Sequence, residues 1–120
     1  MNTTKRTEIS SLGEFGLIER ITKDIAPINK ESAKGIGDDA AILQFSDNDE
    51  VLVSSDMFME GVHFDLTYFP LKHLGYKAVI AGISDIYAMN GTPKQVTVSI
   101  ALSRKFCIED LEELYAGIRL

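Results

Sequence analysis

Apolar residues recur along this chain first at helical and later at alternating spacing, and the switches between the two rhythms mark its elements. Phe15, Leu17, Ile18, Ile21 and Ile25 share one face of a helix. Ser11-Leu12-Gly13-Glu14 has the spacing of a capping box at its start, and Pro27 stops it. That face is expected to be buried. Residues 28–38 read as a polar, Gly-containing loop, and Ala40 to Phe45 and Val51 to Phe58 read as two strands joined by the turn Ser46-Asp47-Asn48-Asp49-Glu50. If Phe45 faces Val51, an antiparallel register sets Ala40 opposite Asp56 and Asp39 opposite Met57.

A long helix is predicted from Leu71 to Met89, opening after Pro70 and closing at Asn90-Gly91, with Pro93 beyond. Leu71, Leu74, Ala78, Ala81, Asp85 and Ala88 form its apolar stripe, and Val79, Ile83 and Ile86 a second row. From Gln95 to Leu102 the alternation of Val96, Val98, Ile100 and Leu102 predicts a half-buried strand. A last helix begins near Ile108 and keeps its apolar repeat to Leu120 without a stop signal, so the chain reads as cut inside or just after it. The first ten residues are polar and read as a flexible terminus, which leaves residues 11–120 as one mixed α/β (α+β) domain.

Composition narrows the class. At 120 residues and 45% hydrophobic, the chain is expected to bury a single core. A formal charge of −6 opposes unspecific binding to nucleic acid or an anionic membrane and favours cations. The lone Cys107 reads as a small core residue. With no signal peptide and no membrane-length apolar run at hand, a cytoplasmic location is the expectation.

The chemistry-bearing residues are mostly oxygens. Gly35-Ile36-Gly37-Asp38-Asp39-Ala40-Ala41 sets two glycines and two carboxylates before a strand: the glycines let backbone amides approach phosphate oxygens, and the carboxylates suit the accompanying divalent ion. As a pattern it is weak, since a Gly-Asp loop is more often just a turn. Ser54, Ser55 and Asp56 end the second strand, with Ser54 and Asp56 on one face and Ser55 on the other. Carboxylates brought together at strand ends repel unless they are solvated, protonated or bridged by a cation. Asp85, inside an apolar stripe, is the expected third member, although a buried Asp also finds backbone amides or an Arg. Hard oxygen donors suit Mg2+ rather than zinc or iron. His63, in Glu60-Gly61-Val62-His63-Phe64, is either an anion contact or a polar anchor. No Walker loop, Ser-His-Asp order or zinc pattern is present.

Taken jointly, Gly13-Glu14-Phe15-Gly16-Leu17-Ile18, Gly35 to Ala41, Ser54-Ser55-Asp56, Gly61-Val62-His63-Phe64, Tyr76-Lys77-Ala78 and Ser84 to Pro93 resemble the thiamine-monophosphate kinases, in that family's order. The wider family includes aminoimidazole ribonucleotide synthetase and selenophosphate synthetase. The resemblance implies an amino-terminal domain of the aminoimidazole ribonucleotide synthetase-like fold, with a mixed or antiparallel sheet packed with helices and completed by homodimerisation. It implies phosphorylation of thiamine monophosphate by ATP, with Mg2+ held by Asp39, Ser54, Ser55, Asp56 and Asp85, and Asp39 and Asp85 shared between ions. His63 looks like a thiamine-phosphate contact and Tyr115 like a contact to ATP. Gly82 departs from the family pattern, where many relatives carry Asn. The Gly-Gly-Asp-Thr motif and the later Asp and Arg residues of the family's site would lie beyond Leu120, so this chain is expected to be inactive alone. Two alternatives stand: another ATP-using member, with selenophosphate synthetase disfavoured for want of an early Cys, or a non-catalytic acidic domain that binds a metal or a partner.

Overall fold

The computed structural model describes residues 6–120. The part of the flexible terminus predicted at residues 1–5 therefore lies outside the described residues. Next come a 3-10 turn at Ile9–Ser11, helix α1 at Gly13–Thr22 and three strands: β1 (Ser32–Lys34), β2 (Ala41–Ser46) and β3 (Asp49–Val53). Helices α2 (Leu71–Ala88) and α3 (Ile108–Ile118) complete an α+β chain whose sheet is antiparallel in the order β1-β2-β3.

The hairpin forms as predicted, but tighter. Ser46 pairs directly with Asp49, leaving Asp47-Asn48 as the turn, and Leu43 rather than Phe45 faces Val51. An irregularity between Gln44 and Ser46 absorbs Phe45. The slip is an even number of residues, so the faces are unchanged. β1 falls inside the predicted loop. It is too short for an alternating pattern to register.

α2 starts after Pro70 and ends as expected: Met89 caps it and Asn90 takes φ +59°, the left-handed turn that Asn tolerates. α2 packs along α3 through their glycines. A Cβ at Gly75 would collide with the Leu114 carbonyl oxygen, and one at Gly117 with the Lys72 carbonyl oxygen. Main chain thus meets main chain, and the closeness explains why two helices tolerate a residue that costs each about 1 kcal/mol relative to Ala. Gly82, also in α2, has nothing within 4 Å of its missing Cβ. Gly82→Ala should therefore stabilise the chain by about 0.5–1 kcal/mol in urea unfolding. A loss of stability would show that the space is filled in solution.

The predicted capping box does not form, because Ser11 Oγ donates to the Glu8 carbonyl at 2.7 Å instead. Four expectations on burial fail for one reason, the lack of covering elements. The α1 stripe is open, with Phe15 85% exposed and Ile21 and Ile25 exposed too. Gln95 to Leu102 pairs with no strand, and Val96, Val98, Ile100 and Leu102 all stand in solvent. Cys107 is exposed at the start of α3, where its N–H donates to Asp110 Oδ2 at 2.8 Å and closes the first turn. Among the described residues only Ala40 and Leu74 are buried apolar side chains, so the expected single core does not form within this chain. The radius of gyration, 18.6 Å, exceeds the roughly 14 Å of a compact domain of this length.

Candidate functional site

Beyond Val53 the chain leaves the ladder and carries Ser54, Ser55 and Asp56 toward α2. Ser54 Oγ donates to Asp85 Oδ2 at 2.9 Å in a half-buried setting, a contact spanning 31 residues of sequence. Asp56 lies beside the same carboxylate. Its carboxyl is pushed above the ordinary value, first by desolvation, then by the charge of Asp85 and by the hydrogen bond that the protonated form can make to Asp85. Ser55, on the other face, is exposed.

The ion pairs among the described residues are Arg6–Glu8, Lys34–Asp38 and Lys105–Glu60. Neither Asp56 nor Asp85 has a basic partner there. A serine hydroxyl and two carboxylates without a counter-charge are oxygen donors that fit a hard divalent cation.

Asp39 is not gathered in. No group of three or more His, Cys, Asp or Glu side chains among the described residues is close enough to share a metal ion. The observed register, extended two places past Ala41↔Val53, sets Asp39 opposite Ser55 rather than Met57. Asp39 is exposed, and its N–H donates to Asp38 Oδ1 at 2.9 Å. Lys34 pairs with the other oxygen of Asp38, so the Lys34 bond first, then the Asp39 N–H, hold that carboxyl below its ordinary value. Gly37, at φ +125°, provides the bend between Lys34 and Asp38 that a side chain would strain.

His63 sits in a tight loop, with Met59 N–H donating to its Nδ1 at 2.9 Å. Tyr115 is partly exposed on the face of α3 formed by Ile108, Leu111, Glu112 and Arg119, a shallow open groove that contains none of the carboxylates above. At Gly82 the space around an added Cβ is open. The Glu60–Lys105 pair escaped the sequence reading. No spacing rule joins residues 45 apart.

Residues 37–120 match the family model described as AIR synthase related protein, N-terminal domain. The chain belongs to this family. Among curated proteins, this AIR synthase related domain is 34% identical over 111 residues to the thiamine-monophosphate kinase of Aquifex aeolicus, covering 92% of the chain and 34% of that protein. It is 39% identical over 108 residues to the Bacillus subtilis protein of the same name, covering 89% of the chain and 33% of that protein. With the Methanocaldococcus jannaschii thiamine-monophosphate kinase it shares 32% identity over 108 residues, covering 89% and 34%. The domain thus spans about a third of the length of these relatives. No solved structure matches it at a significant level. Among the described residues no helix is long and apolar enough to cross a membrane.

Proposed function

We propose that the protein carrying this domain transfers the γ-phosphoryl group of ATP to thiamine monophosphate, giving thiamine diphosphate and ADP with Mg2+ present. The observation that carries the reading is the convergence of Ser54, Asp56 and Asp85 from a strand end and a helix, without a basic partner, in a chain whose relatives bear the kinase name. In the reaction an oxygen of the acceptor phosphate forms a bond to the γ-phosphorus as the bond to the β–γ bridging oxygen breaks, and ADP leaves with that electron pair. The acceptor is ionised at neutral pH and needs no general base.

In this reading Ser54, Asp56 and Asp85 would hold Mg2+, which supplies neutralisation of phosphate charge when bound, with Asp39 and the Ser55 hydroxyl, which lie outside that cluster in the metal-free chain, as the further ligands. The side chains of this domain orient the phosphates, His63 contacts the acceptor and Tyr115 the nucleotide. ADP release by the full-length protein, followed in a coupled assay, is expected to depend on thiamine monophosphate. Release indifferent to that compound would overturn the proposal. A non-catalytic acidic metal-binding domain would instead take up Mg2+ without regard to ATP.

The protein is further proposed to be cytoplasmic and homodimeric. The unpaired 95–102 segment, with four alternating apolar side chains in solvent, and the open edges of the sheet offer surface for a second copy. Light scattering after size exclusion should give twice the chain mass at micromolar concentration. A monomer would remove the dimer from the proposal.

A further inference from the structure

The loop from Met59 to Asp65 carries His63 in a fixed pose. Gly61 turns its tip at φ +81° and donates its N–H to the Phe64 carbonyl at 2.8 Å. The N–H groups of Val62 and His63 reach the Met59 carbonyl at 3.2 and 2.9 Å. In return, Met59 N–H donates to His63 Nδ1. A ring nitrogen that accepts carries no proton, so the neutral imidazole holds its hydrogen on Nε2. The Phe58 ring lies 5.7 Å away and tilted against the imidazole.

Two carboxylates, Glu60 and Asp65, flank His63 in the sequence of this loop, and Lys105 acts on both. Lys105, arriving from the segment before α3, offsets them. Its Nζ donates to both oxygens of Glu60, at 2.9 and 3.2 Å, and stands 5.0 Å from the Phe106 ring centroid. Asp65 is held below its ordinary range first by bonds from the Thr67 N–H and hydroxyl, with a smaller contribution from the charge of Lys105.

We propose that Lys105 is a positioning residue for the acceptor site: through Glu60 it holds the 59–65 loop so that His63 offers its Nε2–H to the phosphate of thiamine monophosphate, and it counters the two carboxylates that flank His63 in the loop. This rests on the reading of His63 as the acceptor contact.

The test combines imidazole nitrogen NMR of the ligand-free full-length protein with steady-state kinetics. Wild-type His63 is expected to show a bare Nδ1 and a protonated Nε2, its signals assigned by their loss in His63→Asn. Asn in that place keeps an acceptor for Met59 N–H but has no donor at the Nε2 position, so KM for thiamine monophosphate should rise about tenfold or more, the cost of one bond to a charged group, with kcat and the ATP KM little changed. Lys105→Ala should disturb the His63 signals and raise the same KM by up to about fivefold, the scale of a partly exposed ion pair. Glu60→Gln should do less, because it removes one of the opposing charges along with the tether. Exchanging the pair, Glu60→Lys with Lys105→Glu, should recover most of the loss. A proton on Nδ1 in the wild type overturns the proposal. So does a Lys105→Ala protein with unchanged His63 signals and unchanged KM, or one weakened equally toward ATP. If Lys105→Ala disturbs the ring while His63→Asn leaves the thiamine-monophosphate KM unchanged, the loop assignment holds and the acceptor reading falls.

Discussion

Asp56→Asn will remove most of the turnover of the full-length protein while making its metal-free form harder to unfold at neutral pH. The loss follows from exchanging a charged oxygen donor for an amide of nearly the same volume, and should reach at least about a hundredfold. The stability gain follows from Asp85. In the folded chain Asp56 takes up a proton more readily than a free carboxylate, because it is partly desolvated and faces Asp85. The folded state therefore binds more protons than the unfolded state between the ordinary value near 3.9 and the raised one, and stability falls as pH rises through that interval. Asn is neutral at every pH and escapes the fall.

The midpoint of thermal unfolding, scanned from pH 3 to pH 8, should favour Asn at pH 7 and converge with the wild type below about pH 4. Asp56 is largely open to water, so the gain should not exceed about 1 kcal/mol. Added Mg2+ should reverse the order, since only a form that binds the ion gains stability from it. Wild-type turnover at saturating Mg2+, or a variant less stable at pH 7, would dissolve the link between Asp56, Asp85 and a cation.

The second large effect is at Gly117, where substitution by Ala should cost about 1–3 kcal/mol or more in urea unfolding. The added methyl meets the Lys72 carbonyl oxygen, and a backbone atom has no rotamer by which to withdraw. α2 and α3 must separate, and the intrinsic preference of Ala for helix recovers at most about 1 kcal/mol of that. Gly75→Ala strains the same crossing through Leu114, so the double variant should lose less than the sum of the two. A neutral Gly117→Ala, set beside the stabilising Gly82→Ala, would mean that the helices do not cross this closely in solution.

What could be read from residues alone was whatever local chemistry decides. Asn90-Gly91 stopped α2 where it was expected to, and the hairpin kept its faces although its register moved, because Asp47-Asn48 turns the chain with two residues. Periodicity names the apolar face of an element but not what lies against it. Thus the stripe of α1 and the alternation of residues 95–102 were legible while their exposure was not. At the candidate site the pairing of Ser54 and Asp56 with Asp85 followed from strand alternation and from a carboxylate within an apolar stripe. The position of Asp39 did not, since it depends on the Gly37 loop, which the Lys34–Asp38 pair bends its own way.

The meeting of α2 and α3 also sets which second-site changes could repair it. Lys72 offers the crossing a carbonyl oxygen, and its exposed side chain takes no part in the clash. Every residue carries that oxygen, so no replacement at position 72 can make room for a methyl at 117. A suppressor screen on Gly117→Ala should accordingly return reversions or changes elsewhere, never at Lys72. For the same reason residues 72 and 117 should vary independently among relatives, and a contact map inferred from correlated substitutions would leave this pair blank.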